Sequence, residues 1–186
     1  LEGQESGQRG GGGDRMPADV GAWLHIGEDG AVSVFTGKTE LGQNIRTSLT
    51  QAVAEELGAP IAAISLLMAD TAKTPFDMGT FGSRTTPTMN LQLRKVAAAA
   101  REVLVDRAAA RLNATRATLT VKDGRVASPS TGISFGDLVK GAPLVATISD
   151  KAPTKPSSAW TIAGTRLPKV NGRDMVTGRH KYTSDL

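Results

Sequence analysis

Two polar turns carry the residues with most chemistry to offer. The run Glu40-Leu-Gly-Gln-Asn44 contains Gly42 and Gln43, and the run Gly79-Thr-Phe-Gly-Ser-Arg-Thr-Thr86 contains Gly82, Ser83, Arg84, Thr85 and Thr86. Each leads straight into a segment with helical patterning. A glycine-bearing turn at a helix start presents unpaired backbone N–H groups and the positive end of the helix dipole, a combination that favours anions and above all phosphates. Gly42 lets a ligand approach the backbone closely. The Gln43 amide donates and accepts at once, so it reads a neutral polar edge that a carboxylate would repel. The second turn adds backbone donors, three hydroxyls and the Arg84 guanidinium, which can hold a phosphate in bidentate fashion. The ordinary reading of such short strings is a turn and a helix cap. Neither is a P-loop, since no Gly-Lys-Ser/Thr follows, and neither is a Gly-x-Gly-x-x-Gly dinucleotide fingerprint.

The elements that must position these turns follow from periodicity. Ala22–Ile26 and Ala31–Phe35 flank Gly27-Glu-Asp-Gly30 and read as a hairpin, with Val32 and Val34 on one face and Ala31, Ser33 and Phe35 on the other. His25 reads as a surface-facing strand residue. A helix is expected from Asn44, as N-cap, to Leu57, stopped by Gly58 and Pro60. Glu55 and Glu56 in its last turns are expected on a solvated face. Ile64–Met68 is a short strand. A second helix begins near Pro87, capped by Thr85 or Thr86, and runs to Leu112 with Leu93, Val96, Ala97, Ala100, Val103, Leu104, Ala108 and Leu112 as its apolar stripe. Thr118–Lys122 and Arg125–Ala127 form a hairpin about Asp123-Gly124. Ser134 caps a short helix, with Asp137 at its third position. The fold class is therefore α+β: a mixed or antiparallel sheet with two main helices on one side and irregular ends. Residues 1–18, with the run Gly10–Gly13, read as a disordered linker, residues 19–148 as the folded domain, the Pro/Ser/Lys-rich 149–161 as a linker or surface strap, and 162–186 as a segment completed by another chain.

Composition removes several classes of function. Among 186 residues there is no cysteine, so a thiolate metal site, an iron–sulfur cluster held by this chain and a cysteine nucleophile are excluded. The two histidines, His25 and His180, lie far apart, which argues against a histidine zinc site, and no direct metal ligand is expected. The charge of +4 is mild and only seven aromatic residues are available for stacking, which argues against nucleic acid. No apolar run is long enough to span a membrane. A hydrolase built on Ser83 has no nearby histidine in sequence.

The linked motifs resemble a known family. Thr36-Gly-Lys-Thr-Glu-Leu-Gly-Gln43, Leu49-Thr-Gln-Ala-Val-Ala-Glu-Glu-Leu57, Asp70-Thr71 and Gly79–Thr86, in this order and spacing, are similar to the molybdenum-cofactor-binding subunit of the molybdenum hydroxylases, the xanthine dehydrogenase and aldehyde oxidase family. The tail Gly164–Gly178, followed by Tyr182-Thr183 and Asp185, is similar to the stretch that precedes an α/β hammerhead domain there. The order of the two resembles the permuted branch typified by isoquinoline 1-oxidoreductase. The resemblance implies that Gln43 contacts the molybdopterin-type cofactor, in its cytosine dinucleotide form. It implies that Gly82, Ser83, Thr85 and Thr86 form the second cofactor loop, with Arg84 near the phosphates or the dinucleotide. Asn44 stands where the family often has glycine. The resemblance also implies a general-base glutamate on another chain, 2Fe-2S clusters on a partner subunit, the remainder of the molybdenum-binding subunit as partner, and a cytochrome c acceptor. The chemistry implied is oxidative hydroxylation of an aldehyde or N-heterocycle with water as oxygen source. The Gly-rich start resembles the linker behind an export signal, which makes the periplasm the expected location and the cytoplasm the alternative. The competing reading is an interaction subunit without cofactor, motivated by the loose tail.

Overall fold

The computed structural model describes residues 16–149, 151–169, 171–181 and 183–185. The expected linker lies outside the described residues as far as residue 15, as do Val170, Tyr182 and Leu186 of the tail.

Strand β1 (Leu24–Ile26) pairs antiparallel with β2 (Val32–Thr36), with Leu24 opposite Val34. Gly30, at φ +83°, makes the turn, and the Gly27 N–H closes it on the Ala31 carbonyl at 2.8 Å. Along β2, Val32, Val34 and Thr36 are buried while Ser33 and Phe35 are half-buried, the expected two-residue alternation. His25 is exposed, as expected. Strand β3 (Ile64–Met68) joins β2 in parallel, Val32 opposite Ile64. Parallel pairing needs a crossover. Helix α1 (Ile45–Leu57) supplies it, and Gly58 ends the helix at φ +75° with its N–H on the Ala54 carbonyl.

The second sheet is built from β4 (Thr120–Lys122), β5 (Arg125–Ala127) and β6 (Gly132–Ser134), all antiparallel. Asp123 and Gly124 both have positive φ, 51° and 73°, the geometry of a two-residue hairpin turn. The α+β class holds, with the strands divided between two three-stranded sheets, one mixed and one antiparallel, rather than gathered in one. The sequence pattern did not announce β6, whose three residues carry no alternation. Helix α3 (Phe135–Val139) follows, capped as expected by the Ser134 hydroxyl, which accepts the Asp137 N–H at 3.1 Å.

Helix α2 (Leu91–Leu112) is the longest element, and its expected stripe is inside: Leu93, Val96, Ala97, Ala100, Leu104 and Ala108 are buried. Ala98 and Ala99 are buried too, so the helix is enclosed all round in its middle. Helix α1 packs against β3 and α2, while α2 packs against α1, α3 and β5. Trp23, Leu49, Leu57, Leu93, Leu104 and Phe135 are among the largest apolar side chains of the core.

Two expectations are corrected. Neither Thr85 nor Thr86 caps the second helix with its side chain. Thr85 is already helical at φ −58° and ψ −50°, and a wide π-type turn, Thr86–Asn90, leads into α2. The chain reverses just before, where Gly82 and Ser83 adopt left-handed conformations at φ 60° and 54°. Glu55 and Glu56 are not on a solvated face either: they are 1% and 0% exposed. What buries them is the proline-rich segment after Ser149, which lies along α1 and α2 as a strap. Glu55 Oε2 accepts the N–H groups of Thr161, Ile162 and Ala163 at 2.8, 2.6 and 3.2 Å, and its Oε1 meets the Lys155 ammonium at 3.0 Å. Glu56 accepts from Arg94 Nε at 2.8 Å and from the Lys155 N–H at 2.9 Å, with Arg101 at 3.4 Å. Arg94 in turn lies over the Trp160 ring, 4.9 Å from its centroid. The strap has one short 3-10 turn, Ser157–Ala159, and no strand pairing to use its other N–H groups. The buried carboxylates satisfy four of them, those of Lys155, Thr161, Ile162 and Ala163.

Candidate functional site

The two turns meet. Lys38, buried, sends its ammonium to Asp77 Oδ1 at 2.8 Å and to the Gly79 carbonyl at 2.7 Å. The Thr39 N–H donates to the Thr80 hydroxyl at 2.8 Å. Gly37 allows this approach, since a Cβ there would stand 2.5 Å from the Asp77 Cβ and 2.7 Å from the Pro75 carbonyl. These contacts join segments some forty residues apart. They form between them an open cleft of about 390 Å³, whose walls include Gln43, Gly82, Ser83, Thr85 and Thr86. Five of the seven residues singled out from the sequence therefore share one cavity, with Ile45 and Ser48 of α1 behind them.

The other two stand apart. Arg84 is exposed and lines a neighbouring cavity with Lys38, Phe76 and Asp77, and Phe81 borders both cavities. Gly42, at φ +98°, is not among the residues that line the cleft, and its carbonyl accepts from the Lys169 ammonium at 2.8 Å.

The Gln43 amide is held by its own turn. Its Oε1 accepts the Leu41 N–H at 2.5 Å and its Nε2 donates to the Thr39 carbonyl at 3.0 Å. The two partners, one donor and one acceptor, fix which end of the amide is which. Asn44 has φ 66° and ψ 25°, a left-handed conformation that asparagine tolerates and glycine adopts freely. Asn44 occupies the N-cap position, but its side chain does not cap α1. Glu40 does that work. Its Oε1 accepts the N–H groups of Gly42 and Asn44 at 2.8 and 3.0 Å, and its Oε2 accepts the Arg46 N–H at 2.9 Å. Burial pushes the Glu40 carboxyl up, but the N–H groups of Arg46, Asn44 and Gly42 and the Lys169 charge outweigh it and hold it below the ordinary value. Sequence reasoning gave Glu40 and Lys38 no such roles, because a carboxylate five residues before a helix and a lysine in a turn carry no local signature of a cap or an ion pair.

The cleft's chemistry is that of a donor surface. Among the described residues, the N–H groups of Gly82 and Ser83 have no protein acceptor. Ser83 and Thr86 are exposed residues of the cleft wall, and no carboxylate residue lines it. The Glu40 carboxylate, in the same turn as Gln43, has both oxygens engaged by backbone N–H groups. Such a surface suits an anionic, acceptor-rich group and repels none. No cluster of histidine, cysteine, aspartate and glutamate among the described residues could hold a metal ion directly. No helix of the described residues is long and apolar enough to cross a membrane.

Comparison with known proteins identifies the family. A family model described as a molybdopterin cofactor-binding domain matches residues 4–183. The chain is 35% identical over 169 residues to a nicotinate dehydrogenase subunit of Pseudomonas putida, covering 90% of this chain and 14% of that protein. It is 36% identical over 108 residues to the xanthine dehydrogenase molybdenum-binding subunit of Escherichia coli O157:H7, covering 58% of this chain and again 14% of the relative. Among solved structures, quinoline 2-oxidoreductase from Pseudomonas putida 86 shares the fold, with a TM-score of 0.56 at 23% identity over 68% of this chain and 19% of that one. The chain thus spans about a seventh of the length of the curated relatives it matches.

Proposed function

This chain belongs to the molybdopterin cofactor-binding domain family, and on that premise we propose that its cleft cradles part of a molybdopterin cofactor within a larger molybdenum hydroxylase. The observation that carries this reading is the union of Gln43 with Gly82, Ser83, Thr85 and Thr86 around one carboxylate-free cleft. The group fits the donors: the Gly82 and Ser83 N–H groups and the hydroxyls of Ser83 and Thr86 suit a phosphate, and the Gln43 amide suits a pterin edge. Arg84, one residue beyond and in the adjoining cavity, is proposed to meet the phosphates of a dinucleotide extension, the cytosine form being the one proposed.

When bound, the cofactor supplies two-electron oxidation of an aldehyde or N-heterocycle carbon, with water as the oxygen source. This chain's part is to hold and orient. Beyond its bonds to Leu41 and Thr39, the Gln43 amide keeps one N–H and one oxygen lone pair, so it can meet the cofactor without leaving its turn. Three glutamates, Glu40, Glu55 and Glu56, are poorly suited to act as the general base. Glu40 is bound to backbone N–H groups, and Glu55 and Glu56 hold the strap. As the family resemblance implies, the base is proposed to lie on another part of the enzyme. The relative named as a nicotinate dehydrogenase favours an N-heterocyclic substrate and, being named as one subunit, a multi-subunit assembly. In that assembly the rest of the molybdenum-binding subunit, a 2Fe-2S subunit and a cytochrome c acceptor complete the electron path, in the periplasm.

The test is cofactor content. Purified with its partners, the protein is expected to contain molybdenum by elemental analysis and a pterin by fluorescence, and Gln43→Ala to lower both, or the activity, while the chain stays folded. An assembly free of molybdenum and pterin would sink the reading in favour of an interaction subunit.

A further inference from the structure

The turn that carries Gln43 has no regular secondary structure and no side-chain cap from Asn44, yet it is wrapped about a single carboxylate. Three N–H groups spread over five residues, those of Gly42, Asn44 and Arg46, converge on Glu40. Arg46 lies in the first turn of α1, so the same carboxylate fixes both the turn and the helix it feeds. From the other side, Lys169 holds the Gly42 carbonyl. The turn about Gln43 is thus held from two sides, the Gly42 carbonyl by an ammonium and the N–H groups of Gly42 and Asn44, which flank Gln43, by a carboxylate. Backbone bonds to a charged acceptor are roughly twice as strong as neutral ones. Gln43 itself is exposed and makes side-chain bonds only within the turn, so nothing packed against it sets its place.

We infer that Glu40 is a positioning residue, the latch that holds residues 41–46 in the shape that presents Gln43 to the cleft. The inference rests on the cofactor reading for what Gln43 does there, but the latch itself is a property of this chain. Glutamine at position 40 keeps one acceptor oxygen and loses the charge and the second acceptor, so the three N–H groups can no longer all be held.

The experiment uses the full protein with its partners, in Glu40→Gln and, as a control, Ser134→Ala, which removes a helix cap remote from the cleft. Hydrogen exchange at the amides of Gly42, Asn44 and Arg46 is read together with pterin content per chain. Glu40→Gln is expected to speed exchange at these three amides about tenfold or more, and to lower pterin content several-fold. Ser134→Ala is expected to change neither. If Glu40→Gln fails to fold, Glu40→Asp, charge kept and reach shortened by one methylene, is read in the same way. Unchanged exchange at the three amides, or pterin content equal to that of Ser134→Ala, overturns the latch and leaves the cofactor reading standing. A wild type without pterin in which Glu40→Gln still frees the three amides sinks the cofactor reading and leaves the latch standing.

Discussion

The ammonium of Lys38 lies 2.8 Å from the Asp77 carboxylate, and both side chains are almost wholly buried, 8% and 5% exposed. With the bond to the Gly79 carbonyl, this pair joins the turn after β2 to the loop before α2, and so sets the two walls of the cleft against each other. A buried charge whose partner is removed is left uncompensated, at a cost of about 3–5 kcal/mol, whereas removing both charges together can be nearly neutral. Lys38→Met is therefore expected to lower stability to denaturant by an amount in that range. The double variant Lys38→Met, Asp77→Leu is expected to recover most of the loss. A double variant as unstable as the sum of the singles would show that the pair acts through something other than its charges.

The backbone at Asn44 supports a second prediction. At φ 66° a β-branched residue is strained by about 1–2 kcal/mol, and the bond from the Thr47 hydroxyl to Asn44 Oδ1, 2.9 Å long, is lost with it. Asn44→Val is expected to destabilise by at least about 1 kcal/mol, and Asn44→Gly to stay within about 1 kcal/mol of wild type, since glycine enters this region without strain. Urea midpoints decide it. Equal losses for valine and glycine would place the cost in the side-chain bond and not in the backbone. The left-handed geometry also accounts for asparagine at a position where the resembled family often has glycine.

What was legible in the sequence was local. The β1–β2 turn, helix α1 with its Gly58 stop, the stripe of α2 and the Ser134 cap all follow from spacing and turn chemistry within a few residues. The two turns could be read as donor-rich for the same reason. The rest depended on partners far along the chain. Nothing near Glu55 and Glu56 announces that a strap a hundred residues later will take their oxygens. Nothing near Lys38 announces Asp77. The misplaced cap at Thr85 has a different cause: the reversal was taken by the left-handed pair Gly82 and Ser83, which left Thr85 already inside the helix. That two separate turns would line one cleft rested on the linked motifs, and no residue within either turn states it.

The strap carries the pH dependence. Burial pushes the Glu55 carboxyl up, and the N–H groups of Ile162 and Thr161, the Lys155 ammonium and the Ala163 N–H more than offset it, so the folded value lies below the ordinary one. A carboxyl depressed in the folded state binds fewer protons folded than unfolded there. Its contribution is complete above the unfolded value of about 4.3 and is lost as pH falls through the lower, folded value. The strap is therefore expected to hold unchanged from neutral pH to about 5 and to lift in acid below that. Trp160, half-buried beneath Arg94, reports the event through its fluorescence, with Trp160→Phe subtracted to remove the signal of the fully buried Trp23. Glu55→Gln cannot form the ionised contacts, so its Trp160 signal at neutral pH should already resemble that of the acid-lifted strap, and its acid transition should flatten. A Glu55→Gln variant with the wild-type transition would assign the acid response to a different carboxyl.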